Sequence, residues 1–372
     1  MDEPDHPGCQ QKVLFRADGS SRIGTGHLVR CATLANELAA RGTEVHLVCR
    51  PSLDLPRWSL ERFPGTVHQL GQASSPVPDD GEPVPHADWL ETSQRDDASQ
   101  VQALIDESLD GITLDWIVVD HYGLDARWHR SIRDRCRHLL AIDDLADRFL
   151  EVDVLLDQNR DPDVAATDYA SIMGDNGRLL AGPNWALLRD EFRAQAGMPS
   201  ERGSNPRRLL VVMGGSDPRG LTETVVGALD GLNPPLEIVV VLGDERSSDR
   251  IQGLAAVGGH TVDVRVAESD MATLMSGVDV AISAAGSTVW ELCCMGVPMA
   301  LIAEEVNQAA VVAQAVQAGA AVQVSSLDGH EIREVLDTMM RDSARLKLMA
   351  SAGQALVDGK GAGRVCDIML AE

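Results

Sequence analysis

Short runs of Val, Ile and Leu alternate with stretches of helical periodicity along nearly the whole chain, and the rhythm breaks and restarts once. "KVLFRA" (12–17) is apolar. Residues 27–41 then set Leu28, Cys31, Leu34, Ala35 and Leu38 on one helical face before Gly42, and "EVHLVC" (44–49) follows. This is a βαβ opening. The alternation continues through a helical 98–109, "WIVVD", a helical 125–136, "HLLAID", "VDVLLDQN" and "RLLAGP". It lapses over 194–207 into Gly, Ser, Pro and charge. It resumes with "LLVVMGGSDP", "EIVVVLG", "VDVRVAE", "VDVAISAAG" and "PMALIA", separated by helical segments. Such a pattern predicts an α/β protein of two Rossmann-like domains, each a parallel sheet covered on both faces. The expected domains are 1–193 and 208–372, joined by a linker at 194–207, with the last helix able to return to the first domain. The 372 residues suffice for two cores. Open α/β sheets bind ligands at the carboxyl ends of their strands, so a cleft between those edges is the expected site.

Composition narrows the partners. Asp and Glu number 57 against 32 Lys and Arg, a formal charge of −25. That surplus repels phosphate backbones and anionic lipid, which argues against nucleic-acid or membrane-surface roles. It also matches a protein adapted to a high-salt cytoplasm. No apolar run approaches the roughly 18–20 residues that span a bilayer, and the polar start lacks a secretory signal, so a soluble cytoplasmic protein is expected, as a monomer or weak homodimer. The seven cysteines form no C-x-x-C pair, and no H-E-x-x-H occurs. Neither a disulfide framework, a bound metal nor a cofactor is expected. Residues 71–97, rich in proline and acid, read as a solvated insertion rather than a site.

Four strand-end segments carry candidate chemistry. In "RADGSSRIGTGHLVR" (16–30), Gly24 and Gly26 resemble the start of a dinucleotide fingerprint, but its third glycine would fall on Val29, so the fingerprint fails. What remains is an approachable turn before a helix, with Asp18 ahead of it and His27 and Arg30 in its first turns. The helix N-terminus favours the neutral imidazole, so His27 is either a general base or an ordinary polar residue at a helix start. Gly286-Ser287-Thr288 suits a diphosphate, through close approach, hydroxyl donors and the helix dipole. Glu291 has two readings on spacing alone, a capping-box partner of Thr288 or an acceptor for ribose hydroxyls. Gly214-Gly215-Ser216 is a second glycine turn, either simply a turn or part of the same cradle. His121 and Tyr122 in "VVDHYG", and Asp143 and Asp144 in "AIDDLADR", are candidates for sugar hydroxyls or a solvated acidic edge.

Taken in order, "RADGSSRIGTGHLVRC", "VVDHYGLDARW", "AIDDLADR", "LLDQN", "GPNWALLRDEF", "GGSDPRGLT", "GSTVWELCCMGVP", "NQ" and "DGKGAGR" make the chain resemble the UDP-sugar hydrolases of pseudaminic acid biosynthesis. Those enzymes cleave UDP-2,4-diacetamido-2,4,6-trideoxy-β-L-altropyranose. The resemblance spans nearly everything but the first dozen residues and the acidic stretch near 80. It implies a GT-B-type fold with UDP on the C-terminal domain, and inverting, metal-independent hydrolysis with His27 as general base. By the same resemblance Glu291, Asn307 and Gln308 lie on the nucleotide side. The chain departs from the family at Ala285-Gly286, where two glycines are common, at Trp185, where tyrosine is usual, and in the longer "AEEVNQ". Those departures bear on the choice of sugar.

Two other classes fit the same motifs. One is a GT-B glycosyltransferase using a UDP-N-acetylhexosamine donor, although no basic, apolar membrane-facing run is present. The other is a non-catalytic UDP-sugar-binding protein. The charge yields its own prediction. Dilution from about 1 M to about 0.01 M salt lengthens the screening distance from ~3 to ~30 Å, and should lower both melting temperature and activity. Equal melting temperatures at both salts would remove the high-salt reading.

Overall fold

The structure, a computed structural model, describes residues 10–20, 22–52, 58–71, 84–198, 206–214, 217, 219–245, 247–257, 259–303 and 308–372. The chain divides into two compact units. The first comprises residues up to Gln158, Pro162–Leu187 and Ala362–Glu372; the second comprises Asn159–Asp161 and Leu188–Gly361. The first holds a seven-stranded sheet of β1 (Lys12–Ala17), β2 (Glu44–Cys49), β3 (Thr66–Gln69), β4 (Leu114–Asp120), β5 (Cys136–Ile142), β6 (Val154–Asp157) and β7 (Arg178–Ala181). All pairings are parallel, in the order β3-β2-β1-β4-β5-β6-β7. The second holds β8 (Arg208–Val212), β9 (Glu237–Leu242), β10 (Thr261–Val266), β11 (Val280–Ala284), β12 (Met299–Ile302) and β13 (Ala321–Val324). These are again all parallel, in the order β10-β9-β8-β11-β12-β13. Both units are Rossmann-like, as the strand–helix alternation predicts.

The period of two along a strand is visible in the first core. Val13, Phe15, Ala17, Trp116, Val118, Leu140 and Ile142 bury one face of the sheet, with Leu28, Cys31, Leu34 and Leu38 of the helix Gly26–Ala40. The alternate residues Leu14, Ile117, Val119, Leu139 and Ala141 bury the other, with Val101 and Ile105 of the helix Gln94–Ser108. In the second unit Leu209, Val211, Ile238, Val240, Val280 and Ile282 pack with Val225, Ile332, Leu336 and Met349 from three helices. β3 and β13 were not expected from the sequence. Both are four-residue edge strands, "TVHQ" and "AVQV", too short and too polar to register as apolar runs.

The helix Gly361–Ala371 packs into the first unit. Val365, Cys366 and Met369 are fully buried there, and the Met369 carbonyl accepts a hydrogen bond from Trp116 Nε1 at 2.9 Å. Arg41 Nη1 reaches Asp367 Oδ1 at 2.5 Å and Arg364 Nη1 donates to the Asn184 carbonyl at 2.9 Å, tying that helix to the first unit. Met369→Ala should destabilise the first unit by about 2–5 kcal/mol, read as a lowered urea midpoint, because it leaves a cavity in a closed core.

Candidate functional site

Each sheet reverses its strand order once, between β1 and β4 in the first unit and between β8 and β11 in the second. Ligands of open α/β sheets gather at such points, beyond the carboxyl ends of the strands. The glycine segments singled out from the sequence follow β1, β8 and β11, and Asp120 closes β4.

In the first unit β1 ends at Ala17, and the chain folds back through a Ser20–Gly24 bridge before the helix starts at Gly26. Gly24 N donates to Ser20 O at 2.8 Å, and Gly24 has φ +80°, a left-handed conformation that favours glycine. His27 and Arg30 lie three positions apart, on one helical face. Both turn onto Asp120, which pairs with Ala17 across the sheet. His27 Nδ1 lies 2.5 Å from Asp120 Oδ1, while Arg30 grips the same carboxylate through Nε at 2.9 Å and Nη2 at 2.8 Å. Arg30 Nη2 also stands 3.1 Å from His27 Nδ1. A ring nitrogen so close to a carboxylate carries the proton, so that last contact sets donor against donor and is not a hydrogen bond. With Nδ1 donating, a neutral ring has its lone pair on Nε2. Among the described residues the side-chain hydrogen bond of His27 runs through Nδ1. Burial alone would raise the Asp120 pKa, but Arg30 and His27 prevail and hold the carboxyl below its usual range.

Asp144 lies beside this group. Its Oδ2 accepts from Arg30 Nη1 at 3.3 Å and its Oδ1 from the Tyr122 hydroxyl. The Tyr122 ring meets His27 edge-on, centroids 4.6 Å apart, and burial followed by Asp144 pushes its phenol well above the usual value. Arg30, Tyr122, Asp144 and His27 thus converge on one spot, with Asp120 behind them.

The other strand-end groups face inward. Asp18 accepts from Arg16 Nη1 and Nη2 at 2.6 and 2.8 Å and from Arg50 N at 2.7 Å. Arg16 and Arg50 in turn share Asp97, at 2.8 and 2.7 Å, and Trp128 Nε1 donates to it at 2.9 Å. Two arginines and two carboxylates form a buried quartet of balanced charge. His121 accepts from Gly123 N on Nδ1 at 3.0 Å, which leaves its Nε2 proton towards Asp18 Oδ2, 3.3 Å away. Asp143 accepts from Arg148 Nη1, the Tyr169 hydroxyl, Ala146 N and Leu145 N, at 2.7 to 3.2 Å. The oxygens of Asp18 and Asp143, both candidates for sugar hydroxyls, are engaged by the scaffold here, whereas His121 Nε2 is buried without a hydrogen-bond partner among the described residues.

The insertion also departs from expectation. Residues 72–83 lie outside the described residues, but 84–90 return to the site. The 3-10 turn Ala87–Trp89 sets the Trp89 ring 5.6 Å from Tyr122 and 6.3 Å from His27, with His86 4.6 Å from Trp89. A Cβ on Gly123 would meet the His86 carbonyl at 2.8 Å, so glycine is what lets this turn approach. Arg22 and Asp88 form an ion pair across the opening. Two aromatics without periodicity among prolines and acids leave no signal in the sequence.

In the second unit Gly286 precedes the helix Thr288–Cys294, whose N-cap is Ser287 with no side-chain cap bond. The capping-box reading of Glu291 is therefore not realised; its Oε1 accepts from Arg189 Nη2 at 3.3 Å. A Cβ on Gly286 would meet nothing within 4 Å, so the backbone there is open. Trp290 Nε1 donates to Asn159 Oδ1 at 2.8 Å and locks the helix from its buried side. After β8, Gly214 has φ +82°, and Asp217 accepts from Leu221 N and Thr222 N at 2.8 and 2.9 Å. That helix start is already capped by its own carboxylate. Gln308 opens the helix Gln308–Gln317; Gly215, Ser216 and Asn307 lie outside the described residues. Cys293 and Cys294 are buried, with thiols pushed up to about 12 chiefly by burial.

Residues 209–361 match the profile of the glycosyltransferase family 28 C-terminal domain. The UDP-N-acetylglucosamine--N-acetylmuramyl-(pentapeptide) pyrophosphoryl-undecaprenol N-acetylglucosamine transferase of Alkalilimnicola ehrlichii is 34% identical over 55% of this chain and 60% of its own length. The UDP-2,4-diacetamido-2,4,6-trideoxy-beta-L-altropyranose hydrolase of Campylobacter jejuni is 25% identical over 59% of this chain and 65% of its own. The matches span 41 to 65% of the curated relatives' own lengths. Among solved structures, MurG of Acinetobacter baumannii superposes with a TM-score of 0.67 at 17% identity, over 98% of this chain and 100% of that one. The fold is of the GT-B type.

The quartet sets a pH dependence. Burial opposes the charge on Asp18 and Asp97, but the arginines hold both carboxyls below their usual range. A depressed folded-state pKa means that the folded protein binds fewer protons than the unfolded one. The stability this contributes is complete above the unfolded value of about 3.9 and is lost as pH falls below it. Melting temperature should therefore drop steeply below about pH 4. Asp97→Asn, which leaves the buried quartet with one unbalanced guanidinium charge, should cost about 3–5 kcal/mol at pH 7, measured by chemical denaturation.

Proposed function

We propose that this chain is a hydrolase of UDP-linked sugars that transfers the sugar to water, with a deoxy-diacetamido hexose of the pseudaminic acid type as substrate. The observation that carries the reading is the His27–Asp120 pair, in which the carboxylate engages Nδ1 and leaves Nε2 as the ring nitrogen for proton transfer at the carboxyl end of β1 and β4. In the proposed reaction a water gives its proton to His27 Nε2 as its oxygen bonds to the anomeric carbon. The C1–O bond to the diphosphate breaks on the opposite face, and its electron pair leaves with UDP. Asp120 then faces the imidazolium and stabilises it. The free sugar emerges with inverted configuration. Because UDP is a good leaving group, positioning the water and binding the departing diphosphate supply most of the catalysis. We assign Gly24, Gly26, Arg30, Tyr122 and Asp144 to the sugar. The Gly286-Ser287-Thr288 backbone, Glu291, Gln308 and Asn307, with Gly214, Gly215 and Ser216, are assigned to UDP. The proposed reaction uses no metal.

The ordered motifs shared with the hydrolases, and the resemblance to the Campylobacter jejuni protein by name, support this assignment. A second reading draws on the higher identity to the Alkalilimnicola ehrlichii transferase. In it the same base deprotonates an acceptor hydroxyl in place of water. The charge of −25 disfavours a lipid-linked acceptor at an anionic membrane.

The discriminating experiment follows UDP release and product anomer by NMR, with UDP-acetamido sugars, without acceptor and with chelator. The hydrolase releases inverted free sugar at an unchanged rate when chelator is added. Turnover that appears only with an added acceptor assigns the protein to the transferases. His27→Ala and Asp120→Asn should each cut turnover by about 10²–10⁴-fold, the second by unsetting the tautomer. UDP affinity should stay near normal in both, and unchanged turnover in His27→Ala would falsify the base assignment.

A further inference from the structure

The turn Ala87–Trp89 belongs to the acidic insertion, the part of the chain that the hydrolase motifs do not cover. With its N-cap His86 it nonetheless supplies two of the three rings grouped beside His27. Trp89 lies 35° from coplanar with Tyr122 at 5.6 Å, His86 stands 4.6 Å from Trp89 and 5.6 Å from Tyr122, and Trp89 meets His27 edge-on at 82°. Tyr122 is buried beneath, whereas His86 and Trp89 remain partly exposed. The result is an aromatic wall with a buried floor, beside the histidine that carries the base. The wall is pinned at two points, by the close approach of the His86 carbonyl to Gly123 and by the Arg22–Asp88 ion pair.

We propose that Trp89, backed by His86, determines which sugar the site accepts, and that it selects hexoses with an apolar face. Its flat ring suits a deoxy C6 methyl or an acetamido methyl, since C–H groups gain dispersion and apolar burial against a π face. A hydroxymethyl group pressed against the face of the same ring would lose its water and find no hydrogen-bonding atom on that face. Apolar surfaces reject an added hydroxyl only modestly, so a preference of tens-fold to about 100-fold is the expected scale. The inference rests on the UDP-sugar reading of this site.

The test compares a UDP-2,4-diacetamido-2,4,6-trideoxyhexose with UDP-N-acetylglucosamine, which keeps its 6-hydroxyl. KM and kcat are measured together with saturation-transfer NMR on the sugar methyl protons, which needs binding but no turnover. Trp89→Ala should raise KM for the deoxy sugar about tenfold with a smaller change in kcat, erase its methyl saturation and collapse the preference between the two sugars. Affinity for UDP alone should not change, and Trp89→Phe should restore most of the preference. An unchanged preference ratio in Trp89→Ala, or an equal loss of affinity for UDP alone, overturns the proposal. If Trp89→Ala does not fold, Trp89→Leu decides, because it keeps apolar bulk without a flat face: a lowered preference supports the wall and an unchanged one overturns it. If the wild type hydrolyses neither sugar, the hydrolase assignment falls. Methyl saturation lost in Trp89→Ala still supports the wall in that case, and saturation retained overturns it.

Discussion

The carboxylate of Asp120 is the point on which the polar cluster at the strand ends of the first unit turns. It is fully buried, and it receives His27 Nδ1 on one oxygen and the Arg30 fork across both. A carboxylate so placed is tolerable only when it stays charged and paired. Arg30 neutralises it and, with His27, holds the carboxyl below its usual range. One residue at a strand end thereby fixes the tautomer, the ring orientation and the electrostatic reference of the histidine.

Behind Asp120 the strand ends form a graded polar layer. Asp18, Asp97, Arg16 and Arg50 neutralise one another out of contact with water, and Asp143 closes its own turn with Arg148 and Tyr169. Parallel strands bring their carboxyl ends to one edge, so such a layer concentrates charge where a ligand belongs. The protein spends most of that charge on rigidity and leaves only the Asp120–Asp144 side facing His27, Arg30 and Tyr122. Rigid support is what sets a base at a usable angle.

The strand-and-helix alternation was legible because Val, Ile and Leu runs such as "WIVVD" and "EIVVVLG" bury on both faces and carry no competing signal. β3 and β13 escaped because an edge strand needs no continuous apolar run. At the candidate site, the helix start that carries His27 and Arg30 was legible from the two glycines before it. Asp120 was visible only as one of many acids, since what makes it the partner of His27 is the β1–β4 pairing, a contact across about 100 residues. The inward roles of Asp18 and Asp143 depend on arginines supplied from elsewhere in the fold. Trp89 was hidden by its neighbours, because a segment of prolines and acids reads as solvent-facing whatever two rings within it do.

The return of the helix Gly361–Ala371 has a consequence for how the chain is made. Val365, Cys366 and Met369 complete the core formed by Val13, Phe15 and Leu34. During synthesis the second unit's strands and helices have all emerged before that helix does, so the second unit can close first. At about 5–20 residues per second, the first unit waits many seconds with an apolar face open. In that interval the apolar face formed by the earliest strands still lacks its last layer.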